Sequence, residues 1–462
     1  MSDSPIQVFI TQPGAQRVRP RRFSPAVRPL LPIIVASPSF CLNALMVPVS
    51  AQLSELAILL KSLLTFSYPA DAVLSHHFRN HPDIGRRDRA LIAETAYAIL
   101  RHLRSLEAAA GTQHPRDLII AWLARLSGLN LRECDGLVHT NELDRYKTAK
   151  AYLLQDAPTA IRLELPDWLV APLETQYGDR LPALMQAMNA PAPLDLRVNT
   201  LKLSRDKALA QMLADGFSAS ATPYSPFGIR LGNKPPLNQY PLFQDGSLEV
   251  QDEGSQLLAL LTGARRGEMV CDFCAGAGGK TLALGAQMNN SGRLYAFDVS
   301  EKRLARMKPR LARSGLSNVH PQVLASETDI KVKRLAGKFD RVLVDAPCSG
   351  LGTLRRNPDL KWRQTPESVA ELTAKQTTIL NSAARLVKVG GRLVYATCSL
   401  LPEENQGIVT AFLETHPGFA LHPASEVLGP LNIALDTRDF LALAPDTHGT
   451  DGFFAAIMVR AD

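Results

Sequence analysis

Apolar residues recur at intervals of three and four through AQLSELAILLKSLL (51–64), RALIAETAYAILRHLRSL (89–106) and DLIIAWLARL (117–126). That is the period of helices turning one face to a core, so residues 46–165 are expected to form an all-helical bundle. Over 166–245 a helix after Pro166 gives way to short β-like runs such as LDLRVNTLKL (194–203), separated by the turn-rich PYSPFGIRLGNKPP (223–236). This predicts a small α+β connector. Over 246–462 apolar runs alternate with helical segments: EMVCDF, GRLYAF, FDRVLVDAP, GGRLVYATC and GFFAAIMVR. Such alternation predicts an α/β domain with a mainly parallel, doubly wound sheet and ligands at the carboxyl ends of its strands.

Residues 1–45 lack periodicity and are rich in Arg, Pro and Ser, as in a disordered extension; translation from Met46 is the alternative. Pro29, Pro32 and Pro38 interrupt the apolar stretch there, which argues against a leader peptide. The first 50 residues hold five arginines and one acid, so they carry +4 of the formal net charge of +7. The basic balance suits a polyanionic partner without establishing one. Six cysteines in 462 residues are too sparse for a disulfide framework and fit a reducing, cytoplasmic setting. No apolar run reaches membrane-spanning length, so no membrane association is expected, and monomer is the default.

In VCDFCAGAGGKT (270–281) a glycine-rich turn follows a buried strand and precedes a helix, which lets backbone N–H groups approach a ligand. A second strand ends about twenty residues on at Asp298, where such folds place a carboxylate on ribose hydroxyls. A P-loop would need glycine at 274, which is Cys, and a dinucleotide fingerprint would need glycine at 281, which is Thr. Cys271 and Cys274 form a lone C-x-x-C without a second ligand pair, so no metal is expected and one of the two should face the core. The charges of Arg86, Arg87, Asp88 and Arg89 read as a solvated, capped helix start.

Two further loops carry cysteines past strand ends: DAPCSGLGT, with Asp345 and Cys348, and ATCSLLPEEN, with Cys398 followed by a helix start at Pro402. Cytosine C5 is a poor nucleophile until a thiolate adds at C6. A cysteine near a helix N-terminus gains thiolate character, and a carboxylate at Asp345 suits the charge developing on the base edge. Cys348 is placed to help when the C5 proton leaves and the thiol is eliminated.

The segments DFCAGAGGKT, FDVS, DAPCSG, RRNPDLKW, ATCSLLPEEN and DGFFAA resemble, in order and spacing, the bacterial Sun/Fmu (RsmB-type) branch of the RNA 5-methylcytosine methyltransferases. FRNHPDIGRRDRALIAETAYAILRH (78–102) is similar to the NusB-like RNA-binding domain of that branch. The resemblance implies a Rossmann-like class I methyltransferase domain using S-adenosyl-L-methionine, and small-subunit ribosomal RNA as partner. It implies Cys398 as the nucleophile and Cys348 in product release. Cys274, Ala275, Gly276, Ala277, Gly278, Gly279 and Lys280 would surround the methionine end of the cofactor, with Lys280 also lining the active site. Asp298 would hold the ribose and Asp345 lie between cofactor and base. Arg197 and Asn199 resemble an element implied to touch RNA. Gly276 and Ala277 depart from the usual Ala and Pro. LASETDI (324–330) stands where a Gly-Asp element usually meets adenine, leaving Glu327, with Ser326 and Asp329, as candidates. A catalytically silent ribosome-assembly factor, a tRNA methyltransferase, or a methyltransferase acting on protein or small molecules are the alternatives.

Overall fold

The computed structural model describes residues 48–461, so the expectations for residues 1–45 and for a start at Met46 lie outside it. Helices α1 (Ser50–Leu63), α2 (Ala70–Asn80), α3 (Arg86–Arg101), α4 (Leu103–Ala110) and α5 (Pro115–Arg125) open the helical bundle. Leu53, Leu56, Leu60 and Leu63 make one buried stripe on α1, meeting Ile92, Ile99 and Leu100 of α3. Helix α5 is buried continuously from Leu118 to Ala124, as expected of a helix enclosed by its neighbours. Each fully buried leucine contributes about 2 kcal/mol. Helix α3 starts after Gly85 with no side-chain cap, unlike the capped start expected. Arg86 and Arg87 there are exposed, while Arg89 donates to the carbonyls of Ile84, His81 and Pro82.

The connector contains helices Asp167–Tyr177 and Leu181–Met188 and strands β1 (Leu194–Val198), β2 (Ala219–Ala221), β3 (Gly228–Leu231) and β4 (Leu248–Val250). These strands form an antiparallel sheet in the order β2-β3-β1-β4. Leu196 pairs with Val250, which carries the connector sheet past the boundary expected at 245.

Eight further strands follow: β5 (Met269–Asp272), β6 (Arg293–Asp298), β7 (Val319–Val323), β8 (Phe339–Asp345), β9 (Val387–Thr397), β10 (Phe419–His422), β11 (Phe440–Leu443) and β12 (Phe453–Arg460). Their order is β7-β6-β5-β8-β9-β12, with β10 and β11 both paired along the free edge of β12. Pairings from β7 to β9 are parallel, and β12 joins β9 antiparallel. Val342, Leu343 and Val344 are all buried because helices cover both faces. Pro366–Ala384 packs on one face through Ile379 and Leu380, and Glu253–Leu261 on the other through Leu257 and Leu261. The strand order reverses between β5 and β8, which opens a crevice at their carboxyl ends.

The segment RRNPDLKW after β8 ties this domain to the helices. Trp362 Nε1 donates to the Leu100 carbonyl at 2.9 Å, and Lys361 Nζ donates to the Arg101 carbonyl at 2.9 Å and to Asn189 Oδ1 at 3.0 Å. Burial pushes the Lys361 amine down to about 7, against the opposing pull of Glu164. Among the described residues no helix is long and apolar enough to cross a membrane.

Candidate active site

The crevice holds a cavity of about 610 Å³, within the size of small-molecule sites. The glycine loop after β5 forms one wall. Gly278 precedes helix Gly279–Gln287 at φ 87°, and a Cβ there would meet Met307 Cγ at 2.5 Å, so only glycine lets the loop close on the neighbouring helix. Gly276 has open space where a side chain would stand, and its N–H donates to Asp298 Oδ2 at 2.9 Å. Asp298 Oδ1 accepts from Ser300 N at 2.7 Å and lies 3.1 Å from Arg303. A carboxylate with these partners keeps acceptor capacity on Oδ2.

Beneath the loop, Asp272 is buried, and burial pushes its carboxyl up to about 7 although Oδ2 accepts the Thr281 hydroxyl at 2.6 Å. Its Oδ1 is buried without a hydrogen-bond partner in a residue lining the cavity. Cys271 faces the sheet core, and burial raises the thiols of both Cys271 and Cys274. Among the described residues the one cluster with metal-ligand chemistry is Glu55, His77 and His81, in the helical bundle and without cysteine.

Across the cavity, Lys280 Nζ is 2.7 Å from Asp345 Oδ2. Burial lowers the Lys280 pKa, but the charge and hydrogen bond of Asp345, with Cys398 nearby, more than offset it and the net shift is upward. Cys348 Sγ and Cys398 Sγ are 3.4 Å apart, and the Cys398 N–H donates to Cys348 Sγ at 3.3 Å. The Cys348 thiol is held well above its usual range, first by its hydrogen bond with Cys398, then by burial, then by the charges of Cys398 and Glu404. Both cysteines are half-buried and line the cavity.

Cys398 does not stand at a helix N-terminus: a 3-10 turn spans Pro402–Glu404 and the helix begins only at Gln406. Arg197 and Asn199 do not face outward to RNA. Arg197 is buried and donates to Gln251 Oε1 at 2.6 Å, while Asn199 Nδ2 donates to the carbonyls of Gly246 and Ser314 at 3.0 and 2.9 Å. They lock the connector to the α/β domain. Of the three adenine candidates, Glu327 lines the cavity. Asp329 instead accepts from Ala325 N and Lys331 N, and Ser326 pairs with Thr328. Sequence reasoning missed Asp272, Arg303, Arg356 and Gln251 in the lining; of these Asp272, at the end of a strand inside the glycine motif, and Arg356, inside the RRNPDLKW segment, had a readable signal.

A glycine loop at the switch point of a parallel sheet, with a carboxylate at the end of the next strand, places the protein among the Rossmann-like α/β folds that bind a nucleotide-type ligand. Residues 259–459 match the family described as 16S rRNA methyltransferase RsmB/F, and residues 165–238 match the ferredoxin-like domain of RsmF/B-like proteins. The chain is 32% identical over 428 residues to the probable ribosomal RNA small subunit methyltransferase B of Synechocystis sp., covering 85% of this chain and 95% of the relative. It therefore belongs to the RsmB/F family of RNA methyltransferases. Among solved structures, PH0851 superposes with a TM-score of 0.75 at 25% identity, covering 90% of this chain and all of that one. A methyltransferase homologue from Pyrococcus horikoshii gives a TM-score of 0.56 at 30% identity over 65% of this chain and 97% of its own.

Proposed function

We propose that this protein methylates C5 of a cytosine in small-subunit ribosomal RNA, with S-adenosyl-L-methionine as methyl donor and Cys398 as nucleophile. The observation that carries the reading is the pair of cysteine sulfurs, 3.4 Å apart, on the cavity wall opposite the glycine loop.

The residues present fit the cofactor. Asp298 keeps an acceptor position for ribose hydroxyls, the orphaned Asp272 Oδ1 suits an ammonium group, and the Gly276 backbone lies open to the cavity. Glu327, the one of the three candidates that lines the cavity, is the residue we assign to the adenine end. When bound, the cofactor supplies an electrophilic methyl group on a sulfonium.

Cys398 adds as thiolate to C6 of the base, forming a C–S bond and making C5 an enamine carbon. Asp345, oriented by Lys280, accepts from the base amino group and so holds the base in place, while the Lys280 ammonium beside it offsets the negative charge that the thiolate brings into the ring. After methylation the C5 proton is lost to water while the C6–S bond breaks and its electron pair returns to Cys398. The Cys348 thiol, within hydrogen-bond reach of that sulfur at 3.4 Å, donates to the departing thiolate and stabilises it. A base inside a stack cannot reach a recessed thiol, so the target must be turned out of its helix. The NusB-like reading of the helical domain, with exposed Arg86 and Arg87, assigns it the RNA grip.

Incubation with isotopically labelled S-adenosylmethionine and separated ribosomal and transfer RNA, followed by nucleoside mass spectrometry, tests the reading. Labelled 5-methylcytidine from small-subunit RNA is expected; label in another nucleoside, or in protein, would overturn it.

A further inference from the structure

Behind the two cysteines lies a carboxylate with no cation. Glu404 is fully buried, and among the described residues no Lys, Arg or His pairs with it. Its Oε1 accepts from the Ser349 N–H at 2.8 Å and from Gln376 Nε2 at 2.9 Å, and its Oε2 accepts from the Ser399 hydroxyl. Ser349 directly follows Cys348, and Ser399 directly follows Cys398. The two serine hydroxyls are themselves 3.1 Å apart, and Gln376 also donates to the Pro347 carbonyl at 2.9 Å. The Glu404 carbonyl in turn accepts from Tyr395 Oη at 2.7 Å.

One carboxylate thus holds the backbone of one cysteine loop and the side chain of the other. A carboxylate in the interior is tolerated only when fully hydrogen-bonded, and here two of its three side-chain bonds run to the residues that follow the two cysteines, and the third to Gln376, which also holds the Pro347 carbonyl of the Cys348 loop. We propose that Glu404 is a positioning residue of the methyl transfer: it fixes the two loops in register so that Cys398 reaches the base while Cys348 stays a neutral donor behind it. The inference rests on the two-cysteine reading above.

Electrostatics adds a second consequence. Cys348 is faced by Tyr395 from β9, by Cys398 just past its end and by Glu404 from the turn after it, and Lys280, Asp345 and Lys375 line the same cavity. The negative charge of Glu404 opposes ionisation of Cys348, so removing that charge should let Cys348 ionise at lower pH. A role confined to packing would not do this.

The test uses the full chain with Glu404→Gln, which keeps shape and one acceptor but removes the charge. Folding is checked by thermal melting and by an unchanged Kd for S-adenosylmethionine. The expected result is kcat down about tenfold to a hundredfold, the scale of small misplacements of reacting groups. KM for RNA should stay within about twofold, the covalent RNA adduct should accumulate, and the alkaline limb of the pH–rate profile should move to lower pH. If Glu404→Gln fails to fold, the same kcat, KM and adduct readings on Ser399→Ala, which removes the link to the Cys398 loop, decide the question. A folded variant with the parent's kcat and pH profile overturns the proposal. Cys398→Ala run in parallel separates the failures: if it is inactive while Glu404→Gln behaves as the parent, only this inference falls; if it is active, the two-cysteine reading falls first.

Discussion

Lys280 and Asp345 form an ion pair at 2.7 Å on the wall between the glycine loop and the two cysteines. The lysine comes from the first turn of the helix after β5 and the aspartate from the end of β8, so the pair spans the point where the strand order reverses. Lys280→Met should lower single-turnover methyl transfer by about tenfold to a hundredfold, because Asp345 loses its orienting partner and the cavity loses its positive charge beside Cys398. Arginine should not rescue it, since the ammonium lies in a site with side-chain exposure of 11% that a larger fork does not fit.

Gly352 marks where two backbones cross beside the nucleophile. Its N–H donates to the Cys398 carbonyl at 2.8 Å, and a Cβ there would meet the Gly452 carbonyl oxygen at 2.1 Å and that of Cys398 at 2.9 Å. Gly352→Ala is therefore expected to displace Cys398 and reduce kcat on the order of a hundredfold, with the Kd for S-adenosylmethionine nearly unchanged. Parallel calorimetry and single-turnover assays check both halves.

Asn199 is expected to matter for stability and not for RNA. Asn199→Ala removes two hydrogen bonds to buried carbonyls and should cost about 1–3 kcal/mol in denaturant unfolding. RNA affinity of the folded fraction should match the parent; a selective loss of RNA binding would contradict the assignment.

Lys361 predicts a pH-dependent stability. Its amine titrates near 10.5 when unfolded and at about 7 in the native protein. Between those values the unfolded chain binds a proton that the native state does not, so stability falls as pH drops from about 10.5 to about 7, with the full penalty below 7. Lys361→Met removes the penalty and also two hydrogen bonds, so the sign of its effect at one pH is not the test. The difference in Tm between variant and parent should be more positive at pH 6 than at pH 9 by several degrees; an equal difference at both would show that Lys361 keeps its proton.

The helical bundle and the parallel strands were legible because burial imposes a period: leucine spacing in α1 and continuous apolar runs such as Val342–Val344 follow directly from which faces meet a core. The short edge strands β10 and β11 lack that signature, since each pairs with only half of β12. The cysteines, Asp298 and Lys280 stood in segments whose residue types are set by local chemistry. Glu404 was not legible in the same way. It sits beside Glu403 in what reads as a helix start, and its role comes from partners at Ser349 and Gln376 that are distant in sequence. Arg197 and Asn199 misled for the converse reason: polar residues in a strand read as available for contact, whereas their partners at Gln251, Gly246 and Ser314 bury them at a domain junction. Cys398 drew its expected helix from Pro402, but the turn there is 3-10 and the helix starts only at Gln406, after Asn405 leaves the helical range at φ −110°, ψ −102°.

The most direct measurement is to trap the covalent intermediate. Cys348→Ala protein, S-adenosylmethionine and small-subunit ribosomal RNA are combined, resolved on a denaturing gel, and the cross-linked species is digested and mapped by mass spectrometry. The account predicts a stable protein–RNA adduct carrying a cytidine on Cys398, absent in the Cys348→Ala, Cys398→Ala double variant. No adduct in a variant that still binds both cofactor and RNA, or an adduct on another residue, would contradict it.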